Sequence, residues 1–271
     1  YRGYKVAVRM TARAVPLDPY FMGRWLGDGT LSKPAITSGD VEIVAFLRAF
    51  AVKHGLAVRE EKGQGCSTWN LVRPSGKHIN GSKNPLVGAL KKLKLFASKE
   101  GKFIPTGYLR NSDRVRCRLL AGLVDSDGSL KRAGQIEITS VYKQLADDIC
   151  WLARSLGFAA SVRPKHTACQ TGAIGLAYRV VFRGDVSRLP VKVARKKSMR
   201  SAYVQLRTPI SILSAGMGDY FGFELEGDGL FLLEDFTVTH NTATFAGAAA
   251  LIKERYPDAR FLYVTPSERL V

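Results

Sequence analysis

The chain has 271 residues, of which 46% are hydrophobic and 24% charged, the composition of a folded protein of one large or two ordinary domains. This composition argues against a disordered chain, and no apolar run is long enough to span a membrane. The formal net charge of +18 is uneven, since residues 1–215 carry 37 Lys+Arg against 14 Asp+Glu, whereas residues 216–271 carry 4 against 9. Such a basic excess indicates a polyanionic partner, although a solvated basic surface is the alternative.

Cysteine usage and the first residues indicate an intracellular protein. The four cysteines are far apart, form no C-x-x-C pair and have no metal-ligand spacing. The opening residues "YRGYKVAVRM" do not form a signal peptide, and the missing Met indicates a fragment or a processed product. We therefore expect a cytoplasmic protein that is not associated with a membrane.

The first predicted helix lies in "FMGRWLGDGTL", residues 21–31, where an apolar segment ends in an Asp-Gly pair at Asp28. Gly23 and Gly27 lie four residues apart on one helix face, and small residues there allow a second helix to approach closely. A β-rich stretch follows, and then a second helix with apolar periodicity that ends at Gly55, a helix C-terminal signal. The next segment, "STWNLVR", predicts a strand.

The same order of features recurs about one hundred residues later. The segment "LAGLVDSDGSL", residues 120–130, again has Gly at its third position and an Asp-Gly pair, so that Asp127 lies 99 residues after Asp28. A β-rich stretch, a helix ending at Gly157 and the strand "YRVVFR" follow. Two such halves predict a duplicated α+β domain with a pseudo-twofold axis, a symmetry that suits a DNA duplex.

The paired Asp-Gly sequences predict a metal site. If the two motif helices pack in parallel, Asp28 and Asp127 meet at helix C-termini, where the helix dipoles and their mutual repulsion disfavour them. A cation between them relieves this repulsion, and oxygen ligands suit Mg²⁺, with the backbone carbonyls of Gly27 and Ser126 as further candidates. Metal-assisted phosphodiester hydrolysis fits such a site in a basic domain. Either Asp-Gly alone predicts only a turn, and it is their matched repetition that favours the metal site.

The two motif copies resemble the motif that names the LAGLIDADG homing endonucleases, and the second copy matches it at seven of nine positions. The resemblance covers residues 18–202 and implies a monomeric pseudo-dimer with an αββαββα unit in each half. It also implies a β-saddle over the DNA major groove and cleavage of both strands of a long site. In this resemblance Asp28 and Asp127 are the catalytic metal ligands, whereas Asp125 is structural.

The family also carries a Lys within a K-x-I-P pattern, and "GKFIP" supplies it as Lys102. The counterpart in the second half is Lys196 or Lys197, of which we prefer Lys196. Each lysine either orients and activates water or contacts a phosphate, and the sequence leaves both roles open. The candidate DNA contacts, for which a solvated face is the alternative, are Lys131, Arg132, Arg163, Lys165 and Arg179.

After residue 202 the chain predicts consecutive strands that end in "THNT". This ending resembles the C-terminal splice junction of inteins, which commonly carry such an endonuclease as an insertion. The resemblance implies that Asn241 attacks its own carbonyl, that His240 assists by hydrogen bonding and proton transfer, and that Thr242 is a hydroxyl nucleophile. The N-terminal intein nucleophile and its Thr-x-x-His block are missing from residues 1–17, so we expect cleavage at Asn241 at most and no splicing by this chain alone.

The predicted organisation has four parts. Residues 1–17 end an N-terminal intein segment, residues 18–202 form the two-repeat endonuclease, residues 203–241 are the C-terminal segment of a Hint-type splicing domain, and residues 242–271 begin the host protein. The host piece predicts helix, turn and strand, and looks like part of a P-loop ATPase such as a helicase or a phage terminase. Two alternatives stay open: a DNA- or RNA-binding module of the same fold that no longer cleaves, and a chain that is mainly a self-processing intein fragment.

Overall fold

The structure is a computed structural model that describes residues 2–63, 65–74, 84–131, 134–168, 174–199, 207–211 and 229–240, with residues 213, 225, 227 and 255. It has mixed α+β architecture with antiparallel sheets. The chain divides into two compact units, one of residues 7–205 and the other of Tyr1–Val6 with Leu206–Val271. None of the helices in the described ranges has the length and apolar character that a bilayer crossing requires.

Helix α1, Pro19–Asp28, begins and ends as the sequence predicts for its motif. Asp18 caps its N-terminus by accepting hydrogen bonds from the backbone N–H of Tyr20 (2.9 Å) and Phe21 (3.1 Å), and Pro19 occupies the first turn. The backbone turns extended at Gly29, directly after Asp28. The motif carboxylate therefore lies at the C-terminal end of a largely buried helix.

Helix α5, Asp113–Asp127, carries the second motif and packs in parallel against α1. A Cβ added to Gly23 would lie 2.1 Å from the carbonyl oxygen of Leu119 and 3.0 Å from the Cα of Gly122. A Cβ added to Gly27, one turn further along, would lie 2.0 Å from Oγ of Ser126. Because both pairs match in order, the helices run in the same direction, and the predicted contact through small residues is confirmed.

The elements that follow each motif helix come in a similar order. After α1 come β2 (Ala35–Thr37), α2 (Val41–Lys53), β3 (Ala57–Glu61), β4 (Thr68–Val72), α3 (Pro85–Lys92) and α4 (Thr106–Leu109). After α5 come β5 (Ser129–Lys131), β6 (Gln135–Ser140), α6 (Lys143–Ser155), β7 (Ala159–Ala168) and β8 (Ile174–Arg183), and then 3-10 turns at Val186–Arg188 and Ala194–Lys196.

The two antiparallel sheets of this unit have similar strand orders. The first has the order β2-β4-β3 and the second β5-β6-β8-β7. The strand that corresponds to β5 is reduced in the first sheet to a single bridge between Gly29 and Ile36. Helices α2 and α6 end just before Gly55 (φ +63°) and Gly157 (φ +83°), so the predicted helix stops are confirmed at positions that need left-handed backbone.

The unit of residues 7–205 begins earlier in the chain than the predicted endonuclease segment, residues 18–202. The backbone N–H of Val8 donates to the carbonyl of Ser155 (2.9 Å), and Asn111 exchanges side-chain hydrogen bonds with the backbone of Arg13. Residues that precede the first motif thus pack against the second half of the unit.

The other unit contains a four-stranded antiparallel sheet built from both ends of the described chain. Its order is β10 (Leu230–Leu232), β11 (Thr237–His240), β1 (Arg2–Lys5) and β9 (Arg207–Pro209). Tyr4 pairs with Val238, so the first residues lie beside the strand that ends at His240. Apart from Arg255, the predicted host segment of residues 242–271 lies outside the described residues.

Candidate active site at the ends of the paired helices

The parallel packing of α1 and α5 brings the two motif carboxylates to neighbouring helix ends. A Cβ added to Gly27 would lie 2.9 Å from Oδ2 of Asp127, so this carboxylate lies against the last turn of α1. The surrounding protein desolvates the carboxylate of Asp127, although the residue as a whole is exposed. This desolvation, and secondly the charge of Asp28, raises the pKa of Asp127 to about 6. Burial also raises the pKa of Asp28. Two carboxylates with raised pKa values at one place form a site that favours a cation.

A buried arginine, which the sequence analysis did not single out, contacts Asp28. The guanidinium of Arg24, one helical turn earlier, makes a 2.9 Å ion pair with Oδ2 of Asp28. Arg24 is 1% exposed and stands where the second motif copy has Leu123. The signal that could have identified it was a charged residue on a helix face that is otherwise apolar.

Lys102 closes the C-terminal end of α1. Its Nζ donates to the carbonyl oxygens of Gly27 (2.7 Å) and Gly29 (2.8 Å), and it lies 5.6 Å from the ring centroid of Trp25. Lys102 is buried, and this burial lowers its pKa to about 8 against the opposing charges of Asp127 and Asp28. A cation at this place complements the negative end of the helix dipole.

Lys196 closes the C-terminal end of α5 in the same way. Its Nζ donates to three carbonyl oxygens, those of Val124 (2.9 Å), Asp125 (2.9 Å) and Ser126 (2.8 Å). Lys196 is buried, and burial lowers its pKa, whereas Lys197 is exposed. The structure therefore puts Lys196, rather than Lys197, in the position that matches Lys102.

The segment that carries Lys196 is fixed by carboxylates from both halves of the unit. Buried Asp125 accepts from the backbone N–H of Lys192 (2.6 Å) and Val193 (3.3 Å) and from the hydroxyl of Tyr20 (2.5 Å). Glu42, at the start of α2, accepts from the backbone N–H of Ala194 (3.0 Å). Asp125 thus holds a lysine-bearing segment in place.

The segment that carries Lys102 has a corresponding anchor on α6. Oδ2 of Asp148 accepts from the backbone N–H of Ile104 at 2.7 Å, and its Oδ1 accepts from the side chain of Gln144. Asp148 is largely buried. The sequence showed no signal for this anchor, because α6 and the segment before α4 meet only in the folded chain.

The donor set at the helix ends fits a hard divalent cation. Asp28 and Asp127 supply carboxylate oxygens, and the described residues contain no cluster of three or more His, Cys, Asp or Glu side chains. A cation held by two carboxylates takes its other ligands from water or phosphate, which is how Mg²⁺ commonly binds. The carbonyls of Gly27 and Ser126, the further predicted ligands, each accept a lysine hydrogen bond.

Four of the five predicted DNA contacts lie on one face of the second sheet. Side chains alternate between the faces of a strand, and the opposite face is buried, with Ile138 paired to Val180 in register. Register places Lys131 level with Gln135, and Arg163 directly across from Arg179. On the face away from the core lie Lys131, Arg163, Lys165 and Arg179, together with Arg183, which the prediction missed. Arg132 lies outside the described residues.

The predicted splice junction is described only at its first residue. The backbone of His240 pairs with Leu230 at the end of β11. The side chain of His240, and the whole of Asn241 and Thr242, lie outside the described residues. Their proposed chemistry therefore stays a prediction.

Comparisons with known proteins find similarity to homing endonucleases, and the family match lies in the second half of this unit. Residues 104–203 match the family model described as Homing endonuclease. The chain is 32% identical over 172 residues to the homothallic switching endonuclease of Saccharomyces cerevisiae, covering 55% of this chain and 28% of the relative. It is 28% identical over 177 residues to the replicative DNA helicase DnaB of Mycobacterium intracellulare, covering 65% of this chain and 25% of the relative.

A solved structure of mesophilic variants of the homing endonuclease I-DmoI aligns with a TM-score of 0.42 and 12% identity, covering 62% of this chain and 88% of that chain. The chain spans about a quarter of the length of the curated relatives that it matches. The sequence is therefore similar to homing endonucleases and to a segment of the much longer DnaB helicase.

Proposed function

We propose that residues 7–205 form a site-specific DNA endonuclease that hydrolyses phosphodiester bonds in both strands of a duplex. The reaction would require a divalent metal, and Mg²⁺ is the metal that we propose. One observation carries the proposal: two aspartates end two parallel helices side by side, and a buried lysine closes each helix end. The similarity of residues 104–203 to homing endonucleases supports it.

In this mechanism Asp28 and Asp127 would hold the metal. A divalent cation, when bound, activates water and offsets the charge on the leaving oxygen. With a pKa of about 6, Asp127 is mostly ionised near neutral pH, and a bound divalent cation would favour its charged form further. The two aspartates would thus bind and orient the metal, and the packing of α1 against α5 sets their positions.

The two lysines contribute unequally in this mechanism. An ammonium group has three N–H donors, and Lys196 uses all three on the carbonyls of α5, so it serves to hold that helix end. Lys102 uses two donors on the carbonyls of α1 and keeps one to orient a water molecule. Its pKa, near 8, also suits exchange of a proton with that water.

The open face of the β5-β6-β8-β7 sheet is the DNA-binding surface in this proposal. Lys131, Arg163, Lys165 and Arg179 lie on it and would contact phosphates and base edges of double-stranded DNA. The matching order of elements in the two halves supports a duplicated pseudo-twofold unit that acts as a monomer. We propose that the two sheets form a LAGLIDADG-type β-saddle over the major groove.

We also propose that the endonuclease interrupts the C-terminal part of a Hint-type intein domain. The second unit is discontinuous, with β1 before residue 7 and its partner β11 near residue 240, which is the arrangement expected for an insertion. At the end of β11, His240 would assist Asn241 in cyclising and Thr242 would be the nucleophile. The partial match to a far longer helicase supports a host protein of that kind. Splicing would also require an N-terminal intein segment.

Cleavage is tested on supercoiled plasmid that carries candidate target sites, in Mg²⁺ or Mn²⁺. We expect nicked and linear products, and we expect Asp28→Asn and Asp127→Asn to abolish them while DNA binding is retained. Asp147→Asn, which removes an exposed carboxylate paired with Lys143, is the matched control and should cut normally. Binding without cleavage in either metal would instead support the alternative of a DNA- or RNA-binding module.

The intein proposal is tested by intact mass spectrometry of the purified chain. Incubation with a separately produced N-terminal intein segment should release the residues that follow Asn241. Asn241→Ala should stay whole under the same conditions. A parent chain that remains unbroken even with the added segment would count against self-processing and leave the endonuclease proposal unaffected.

A further inference from the structure

Arg24 makes the two halves of the candidate site chemically different. It is a fully buried charged residue of α1, and the matched residue in α5 is the apolar Leu123. We propose that Arg24 is a positioning residue, whose guanidinium orients Asp28 and weakens its grip on a divalent cation relative to Asp127. This inference rests on the proposed metal-dependent function of the same site.

Because Arg24 is buried, its charge needs a compensating partner, and the carboxylate of Asp28 is the main one. The guanidinium pairs with Oδ2 of Asp28 at 2.9 Å, and its only other described acceptor is the carbonyl of Thr37 at 3.5 Å. Within the described residues, Nε and Nη1 of Arg24 are buried without a hydrogen-bond partner. A buried guanidinium with so few acceptors is costly, so it is expected to hold the one strong acceptor firmly.

Asp127 has no such restraint. Among the described residues no cation forms an ion pair with Asp127, and solvent reaches part of it. The ammonium groups of Lys102 and Lys196 act on Asp127 by their charge, but they donate hydrogen bonds to helix carbonyls and form no ion pair with it among the described residues. The two aspartates therefore present different ligands to a cation: Asp127 makes no ion pair within the described residues, whereas Asp28 shares Oδ2 with a fixed positive charge.

Removing Arg24 should therefore act in opposite directions on binding and on cleavage. A cation at Asp28 no longer competes with a guanidinium, so metal affinity rises. The carboxylate loses the contact that fixes its rotamer, so the metal and the phosphate are less well placed and cleavage slows. A merely structural role for Arg24 would instead lower both properties together.

The experiment compares the purified chain with Arg24→Leu, which copies the matched residue Leu123. Mn²⁺ binding is measured from the electron paramagnetic resonance signal of the free ion, and cleavage from the rate of plasmid nicking. For a folded Arg24→Leu variant we expect roughly tenfold tighter Mn²⁺ binding and at least tenfold slower nicking. Arg24→Lys, which keeps the charge, should restore Mn²⁺ affinity to the parent value.

Arg118→Leu is the matched control, because it removes an arginine that pairs with Asp18 at the opposite end of α1 (2.5 Å) and should leave Mn²⁺ affinity unchanged. If Arg24→Leu does not fold, Arg24→Gln removes the charge but keeps a donor for Asp28. Unchanged or weaker Mn²⁺ binding in a folded variant overturns the inference. Absence of nicking in the parent chain contradicts the proposed function instead, and the Mn²⁺ titration still decides the role of Arg24.

Discussion

Gly23 and Gly122 lie face to face at the contact between α1 and α5, where a Cβ on either would lie 3.0 Å from the Cα of the other. The same Cβ would lie 2.1 Å from the Leu119 carbonyl oxygen in one case and 2.3 Å from the Tyr20 carbonyl oxygen in the other. These neighbours are backbone atoms and cannot rotate away. The helix contact that aligns Asp28 with Asp127 therefore requires glycine at both positions.

Gly23→Ala and Gly122→Ala should each destabilise the unit by roughly 3 kcal/mol or more, because the helices must separate to admit a methyl group. Urea unfolding measures this loss. Gly88→Ala in α3 is the control, since its Cβ would meet nothing within 4 Å and alanine favours helix, so it should be neutral or slightly stabilising. Equal effects at Gly23 and Gly88 would contradict the close helix contact.

Asp127→Asn should stabilise the metal-free protein at pH 7.5. Because folding raises the pKa of Asp127 from 3.8 to about 6, the folded state binds the proton more tightly, and stability falls as pH rises through that window. An amide does not ionise, so the variant should gain about 1 kcal/mol above pH 6, allowing for solvent screening of this partly exposed group. The gain should vanish near pH 3.8.

Thermal unfolding in EDTA at low salt, followed from pH 4 to pH 8, measures this difference. Adding Mg²⁺ should then raise the melting temperature of the parent chain more than that of the variant, because binding to the folded state stabilises it. A melting temperature for Asp127→Asn that is equal to or below the parent value at pH 7.5 would refute the prediction.

Asp125→Ala should loosen the segment that carries Lys196. The substitution removes the acceptor for Tyr20 and for the backbone N–H groups of Lys192 and Val193, and we expect a loss of about 3 kcal/mol. Hydrogen exchange should accelerate at the amides of Lys192 and Val193 far more than at Ile104, whose amide is held by Asp148. Uniform acceleration at all three amides would indicate global unfolding rather than a local anchor.

Arg163→Gln and Arg179→Gln should weaken DNA binding without destabilising the fold. A cationic residue that binds a phosphate displaces counterions from the DNA. Each substitution should therefore reduce the steepness of log affinity against log salt concentration by about 0.9. Because the two residues lie directly opposite each other, removing one like charge should slightly stabilise the sheet. Fluorescence anisotropy with duplex DNA at several salt concentrations measures the slope.

Lys53→Gln, in the last turn of α2, changes the charge equally at an exposed position away from that sheet and should keep the parent slope. If Lys53→Gln and Arg179→Gln lower the slope equally, DNA binding depends on overall charge rather than on this sheet face.

Local sequence determined the parts of the fold that depend on neighbouring residues. The motif helices, the stops before Gly55 and Gly157, and strands such as β4 follow from caps, apolar period and left-handed backbone positions. The repeat of small residues also determined that two helices could approach closely, because a missing side chain is visible in the sequence itself.

Only the tertiary structure decided which charged groups meet. The ion pair of Arg24 with Asp28 could be suspected from their spacing, but the complete burial of Arg24 could not, because it depends on elements packed from elsewhere in the chain. The choice of Lys196 over Lys197, and the anchors Asp125 and Asp148, likewise depend on contacts between distant segments. Sequence shows what a residue can do chemically, whereas burial and long-range packing set the charges and hydrogen bonds it finally has.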